Sequence, residues 1–124
     1  MSLCLLAGGK LTTFALTAFT LAWTHTVERT AWEEDWRITP RGLVLVEARI
    51  KGSGAGMEPP ADASFDGTWW RYSPALPPQQ RLLLANSAAS HSRWSICWEG
   101  RCSEVPARED DIGPLVLSAC PRQG

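Results

Sequence analysis

Phe19, Leu21, Trp23, His25 and Val27 alternate along the chain with Thr20, Ala22, Thr24, Thr26 and Glu28, a period of two with one largely apolar face. The next run repeats the pattern, with Trp32, Glu34, Trp36 and Ile38 on one face and Glu33, Asp35 and Arg37 on the other. No stretch sustains a period of 3.6 over three turns, whereas short β-rich runs broken by Gly, Pro, Asn and Asp recur throughout. The pattern therefore predicts an all-β chain with strands over residues 3–6, 13–16, 19–27, 31–38, 43–50, 68–72, 81–85, 93–98, 101–105 and 115–118. Antiparallel strands at this spacing build a β-sandwich or a partly open β-barrel around a central three-strand meander, and the pattern does not separate the two.

The meander also has a readable register. A hairpin closed symmetrically over Arg29-Thr30, by a two- or four-residue loop, pairs Val27 with Trp32, His25 with Glu34, Trp23 with Trp36 and Leu21 with Ile38. A slip of one residue would turn one strand's apolar set outward. Arg-Thr is a poor dipeptide for the two-residue version. Next, Thr39-Pro40-Arg41-Gly42 suits a three-residue loop with Gly42 in a left-handed bulge, setting Thr39 against Leu43. Ile38, Trp36, Glu34 and Trp32 then face Val44, Val46, Ala48 and Ile50. A two-residue loop would place Glu34 opposite Glu47, a like-charge pair that sheets avoid.

Gly and Pro mark the connections. Residues 52–67 gather Gly52, Gly54, Gly56, Pro59, Pro60 and Gly67 into a long ordered or semi-ordered loop. Residues 74–80, with Pro77-Pro78, should run extended without joining a central strand. The charged run at residues 108–111 reads as a solvated turn. At 124 residues the chain has the length of a single β domain over residues 1–124. Its 12 basic and 13 acidic side chains give no one-signed field for nucleic acid or an anionic membrane. The seven Trp suit core and sheet-face packing better than a ligand platform. The charge-poor start is interrupted by Lys10, has no basic n-region and no small-x-small cleavage site, and is Thr-rich, so it reads as fold rather than as a signal peptide or transmembrane span.

Two places carry candidate chemistry. The register sets His25 opposite Glu34 between apolar pairs, where each needs the other, either as a functional centre or as an ion pair that fixes the strands. Gly52-Ser53-Gly54-Ala55-Gly56 could bring backbone N–H groups near an anion. It lacks the Lys-Ser/Thr ending of a phosphate loop, so no nucleotide or other cofactor is implied. Ser92 beside His91, and Thr26 or Ser53 near His25, form no recognisable nucleophile arrangement. Cys97 and Cys102 should be directly opposed across a hairpin closed by Glu99-Gly100, within disulfide reach, and Cys4 with Cys120 could make a second bridge. Four thiolates on zinc is the rival reading, on weak spacing. Disulfides would favour the periplasm, against the missing export signal.

Thr24-His25-Thr26-Val27-Glu28, then Trp32-Glu33-Glu34-Asp35-Trp36-Arg37, then Gly54-Ala55-Gly56-Met57 with prolines after it, resemble the bacterial domain of unknown function 1850 family. Thr26 stands for the usual Ser and Met57 for the usual Leu, and Glu58 delays the proline by one position. The resemblance implies small proteins often encoded near, or fused to, tripartite TRAP-type transporters with a TAXI-type binding component. It thus implies an accessory role, with transporter components or a small solute as partners. His25, Thr26, Glu28, Glu34, Gly54 and Gly56 are the candidate binding residues. The alternative is a small metal- or acid/base-dependent enzyme using His25 and Glu34. With His25 and His91 as its only imidazoles, the chain favours the binding module.

Overall fold

Residues 1–25, 30–52, 61–84, 94–105 and 115–121 are described by a computed structural model of the chain. In chain order the strands are β1 Leu3–Ala7, β2 Lys10–Phe14, β3 Ala18–His25, β4 Thr30–Thr39, β5 Gly42–Lys51, β6 Ser64–Phe65, β7 Trp69–Tyr72, β8 Leu82–Leu84, β9 Trp94–Trp98, β10 Arg101–Val105 and β11 Leu115–Ala119. They form a four-stranded sheet ordered β2-β1-β11-β8 and a seven-stranded sheet ordered β10-β9-β3-β4-β5-β7-β6, every pair antiparallel. Both sheets are open, so the architecture is a sandwich and not a closed barrel.

Alternation along the strands builds the core between the sheets. Leu3, Leu5, Leu84, Leu115 and Leu117 of the small sheet meet Phe19, Leu21, Trp36, Ile38, Leu43, Leu45 and Ile96 of the large one. Each such side chain stabilises the fold by about 1.5–3 kcal/mol relative to exposure. All ten expected strands are present. The second starts earlier than its β-rich residues suggest, because Gly8-Gly9, both at positive φ, make a two-residue turn that pairs Ala7 with Lys10. The expected loop over residues 52–67 also contains a short strand, β6, held to β7 through Ser64↔Arg71 and Phe65↔Trp70.

The register of β3 on β4 differs from the expected one. Leu21 pairs with Glu34, Trp23 with Trp32, and His25 with Thr30, so His25 and Glu34 are not a cross-strand pair. The faces are those expected, and the offset is four residues. Alternation excludes odd slips only, and Trp23 stacked on Trp32 (centroids 5.7 Å, 15° between planes) supports the observed pairing.

Between β4 and β5 the bulge lies within the strands and not at the turn. Thr39 pairs with Gly42 across a two-residue Pro40-Arg41 turn, and the partner register jumps from Asp35↔Glu47 to Trp36↔Leu45. Val46 is left unpaired and 45% exposed. Trp32↔Ile50 and Glu34↔Ala48 are as expected, whereas Ile38 faces Leu43 and Trp36 faces Leu45. In the uniformly apolar run 43–46 either parity buries something, and the bulge buries the two leucines. Gly42, at φ +124°, lies against the Gln79 carbonyl, where Leu43 and Gln79 exchange backbone hydrogen bonds of 2.8 Å. That contact fixes the proline-rich segment beside β5 through an isolated bridge, without making it a strand.

Cys97 pairs with Cys102 in register across the Glu99-Gly100 turn, both turn residues at positive φ, and their sulfurs are bonded with Cα atoms 4.0 Å apart. Cys4 is bonded to Cys120, Cα atoms 5.1 Å apart, closing the two ends of the chain onto each other. All four thiols are thus consumed, which removes the zinc reading.

Candidate functional site

Cross-strand pairing lines up two rows on the inner face of the large sheet. One runs Ile96, Leu21, Glu34, Ala48, Tyr72, and the other Trp94, Trp23, Trp32, Ile50, Trp70, Phe65. The core reaches Leu21 and Ile96, with Trp23 and Trp94 packed at its margin. At this margin lies a wide, open cleft of about 570 Å³, lined by Leu21, Trp23, Trp36, Leu82, Leu84 and Trp94, with Glu34 and Arg81 also on its wall.

Glu34 reaches this apolar place because it shares a face with Trp32 and Trp36. Its carboxyl accepts a hydrogen bond from Trp36 Nε1 (3.1 Å) and takes part in no ion pair among the described residues. Burial pushes its pKa above the usual carboxylate value, and the indole hydrogen bond offsets this only in part. The Tyr72 hydroxyl, in the same row, is also raised, by burial first and then by the charges of Glu34 and Asp62. Trp94 lies against Trp23 at 4.7 Å, so two indoles in contact form one side of the cleft. Such a carboxyl favours a cation or a strong hydrogen-bond donor from a ligand.

The outer face of the same sheet treats its acids differently. Arg49 forms ion pairs with Glu33 (2.7 Å), Asp35 (2.8 Å) and Glu47 (3.2 Å), and Arg71 with Glu47 (3.1 Å) and Asp66 (2.7 Å). Burial pushes the Asp35 carboxyl up, but hydrogen bonds from Arg49 and Thr20 and the two arginine charges outweigh it and hold the pKa below its usual value. Asp66 is lowered to about 2, chiefly by the Trp69 backbone N–H, then by Arg71 and the Thr68 N–H. These side chains are already satisfied, and among the described residues no group of three His, Cys, Asp or Glu is arranged to hold a metal.

Of the residues expected at a site, Glu34 lies in the cleft and His25 lies four residues along β3 from Glu34's partner Leu21, about 13 Å away at strand spacing. An acid/base pair of His25 and Glu34 is therefore not assembled. Thr26, Glu28, Gly54 and Gly56 fall outside the described residues. The strand ends that lead to them, His25 and Gly52, share one end of the large sheet. Trp23 and Trp36 were visible in sequence as part of an apolar alternation, whereas Arg81, just before β8, and Trp94 of β9 come from distant parts of the chain with no local signal of their place in the cleft.

Residues 19–105 match the family model described as Domain of unknown function (DUF1850). No curated protein and no solved structure matches the chain. The matched span contains every residue that lines the cleft.

Proposed function

The chain belongs to the domain of unknown function 1850 family, and from that premise we propose that it is a non-catalytic binding module, an accessory to TRAP-type solute transport, whose ligand-facing surface is the Glu34 cleft. One observation carries the binding reading: a carboxyl kept in a largely apolar, indole-lined cleft with no ion-pair partner among the described residues. Such a group is costly to the fold, and proteins keep such groups where binding needs them. The transport link is supported by the resemblance of the His25, Glu34 and Gly54-Ala55-Gly56 motifs, and the two disulfides are compatible with an oxidising, periplasmic or extracellular location. Among the described residues no helix is long and apolar enough to cross a membrane, which says nothing of a β-barrel. Gly54 and Gly56 are further binding residues in this reading, on the resemblance of their motif alone.

The test is affinity capture of the oxidised chain co-expressed with the components of a tripartite transporter carrying a TAXI-type binding component. Capture of a transporter component, weakened by Glu34→Gln and by Gly54→Val or Gly56→Val, is expected. Absence of capture, or capture indifferent to all three substitutions, overturns the proposal.

A further inference from the structure

Three carboxyls among the described residues have clearly displaced pKa values, and their surroundings separate them. Asp35 and Asp66 each hold an arginine and titrate low. Among the described residues Glu34 holds the Trp36 indole N–H and no arginine, and its pKa is raised. A half-buried carboxyl without an ion-pair partner is driven toward its neutral form, and a cationic ligand group reverses that drive by forming an ion pair sheltered from water. The rest of the wall has chemistry that suits the same ligand. Trp23 and Trp94 offer half-buried indole surface, which attracts a cation and buries an apolar body, and Leu21, Leu82 and Leu84 extend the apolar lining, while the buried Trp36 contributes its N–H to Glu34. The volume of about 570 Å³ is in the range of small-molecule pockets. Arg81 lies on the same wall, but it is exposed, so water and salt screen its charge in a way they do not screen Glu34.

We infer that the Glu34 cleft binds an organic ammonium with an apolar body, the ammonium on the Glu34 carboxyl and the body against Trp23 and Trp94. This rests on the reading of the cleft as the binding surface, and names the ligand class that the surface takes.

Three ligands with one body and different heads test it: phenethylammonium, 2-phenylethanol and 3-phenylpropionate. Each is titrated into the oxidised full chain at pH 7.5 and low salt, with the indole N–H resonances of Trp23, Trp36 and Trp94 as the readout. Phenethylammonium should bind about tenfold more tightly than the alcohol, with the carboxylate weakest. Glu34→Gln, an isosteric change, should keep the native spectrum and bring the ammonium down to the alcohol's affinity. Glu34→Asp, which keeps the charge on a shorter stem, should retain part of the preference. Arg81→Gln should leave the order of the three ligands unchanged. If the alcohol or the carboxylate binds as tightly while moving the same indoles, the ammonium class falls and the cleft stands as a binding surface. An ammonium preference that disappears with Arg81 and survives Glu34→Gln also overturns it. If no ligand moves these indoles, the cleft itself is the wrong site and both readings fall.

Discussion

Replacing Arg49 with methionine keeps most of the aliphatic stem and removes the cation that holds Glu33, Asp35 and Glu47 together. The Arg49 side chain is only 13% exposed and its guanidinium donates to all three: Nε to Glu33 at 2.8 Å, Nη1 to Asp35 at 2.8 Å and to Glu47 at 3.2 Å, and Nη2 to Asp35 at 3.2 Å. Asp35 and Glu47 are direct cross-strand partners, so without Arg49 two like charges face each other. An exposed pair contributes about 0.2–1 kcal/mol, and breaking a fully buried one costs about 3–5 kcal/mol. Three half-sheltered pairs fall between, at about 2–3 kcal/mol at pH 7, or a fall in melting temperature of about 8–12 °C for a chain of this size. The pH dependence has a definite sign. Asp35 has its pKa lowered in the folded state, so its stabilisation is present above its unfolded value of about 3.9 and is lost as pH falls through the folded value. Urea unfolding of wild type and Arg49→Met at pH 7 and pH 2.5 should show the full deficit at pH 7 and less than about 1 kcal/mol at pH 2.5. Equal deficits at both pH values would mean that Arg49 acts by packing and refute the charge account; no deficit at pH 7 would refute the network altogether.

Gly42→Ala places a Cβ 2.6 Å from the Gln79 carbonyl oxygen at a φ of +124°, and should cost about 2 kcal/mol and speed amide exchange at Leu43, measured by denaturation and hydrogen exchange. The two disulfides close loops of very different length, with sequence separations of 116 and 5. On chain entropy, Cys4→Ser with Cys120→Ser should cost about 4–5 kcal/mol and Cys97→Ser with Cys102→Ser about 2 kcal/mol. Equal losses in urea unfolding would argue against the entropic account.

The alternation of Phe19, Leu21 and Trp23, and of Trp32, Trp36 and Ile38, by itself determined the all-β class, the strands and their buried faces, because burial on one side of a pleated strand is a period-two property of neighbouring residues. The Glu99-Gly100 hairpin and its Cys97–Cys102 bridge were legible for the same reason: turn chemistry and pairing lie within a few residues. Glu34 could be picked out as a polar group on an apolar face, but its neighbours could not. Registers offset by four residues share the same faces, so alternation alone could not reject His25↔Glu34. Contacts across the sheet favour Leu21↔Glu34, including the stack of Trp23 on Trp32 and the packing of Trp94 from β9, which follows some seventy residues later. The like-charge objection to the two-residue turn failed because the bulge lies within the strands: beyond it the register returns to Glu34↔Ala48, so Glu34 never faces Glu47. The bulge also lets Leu43, Leu45, Ala48 and Ile50 all face inward, which no unbroken strand over that run can do. Local sequence sets which face a side chain takes, while its partner depends on the summed contacts of strands far apart in the chain; the cleft around Glu34 is built from such partners, so only the tertiary structure decided it.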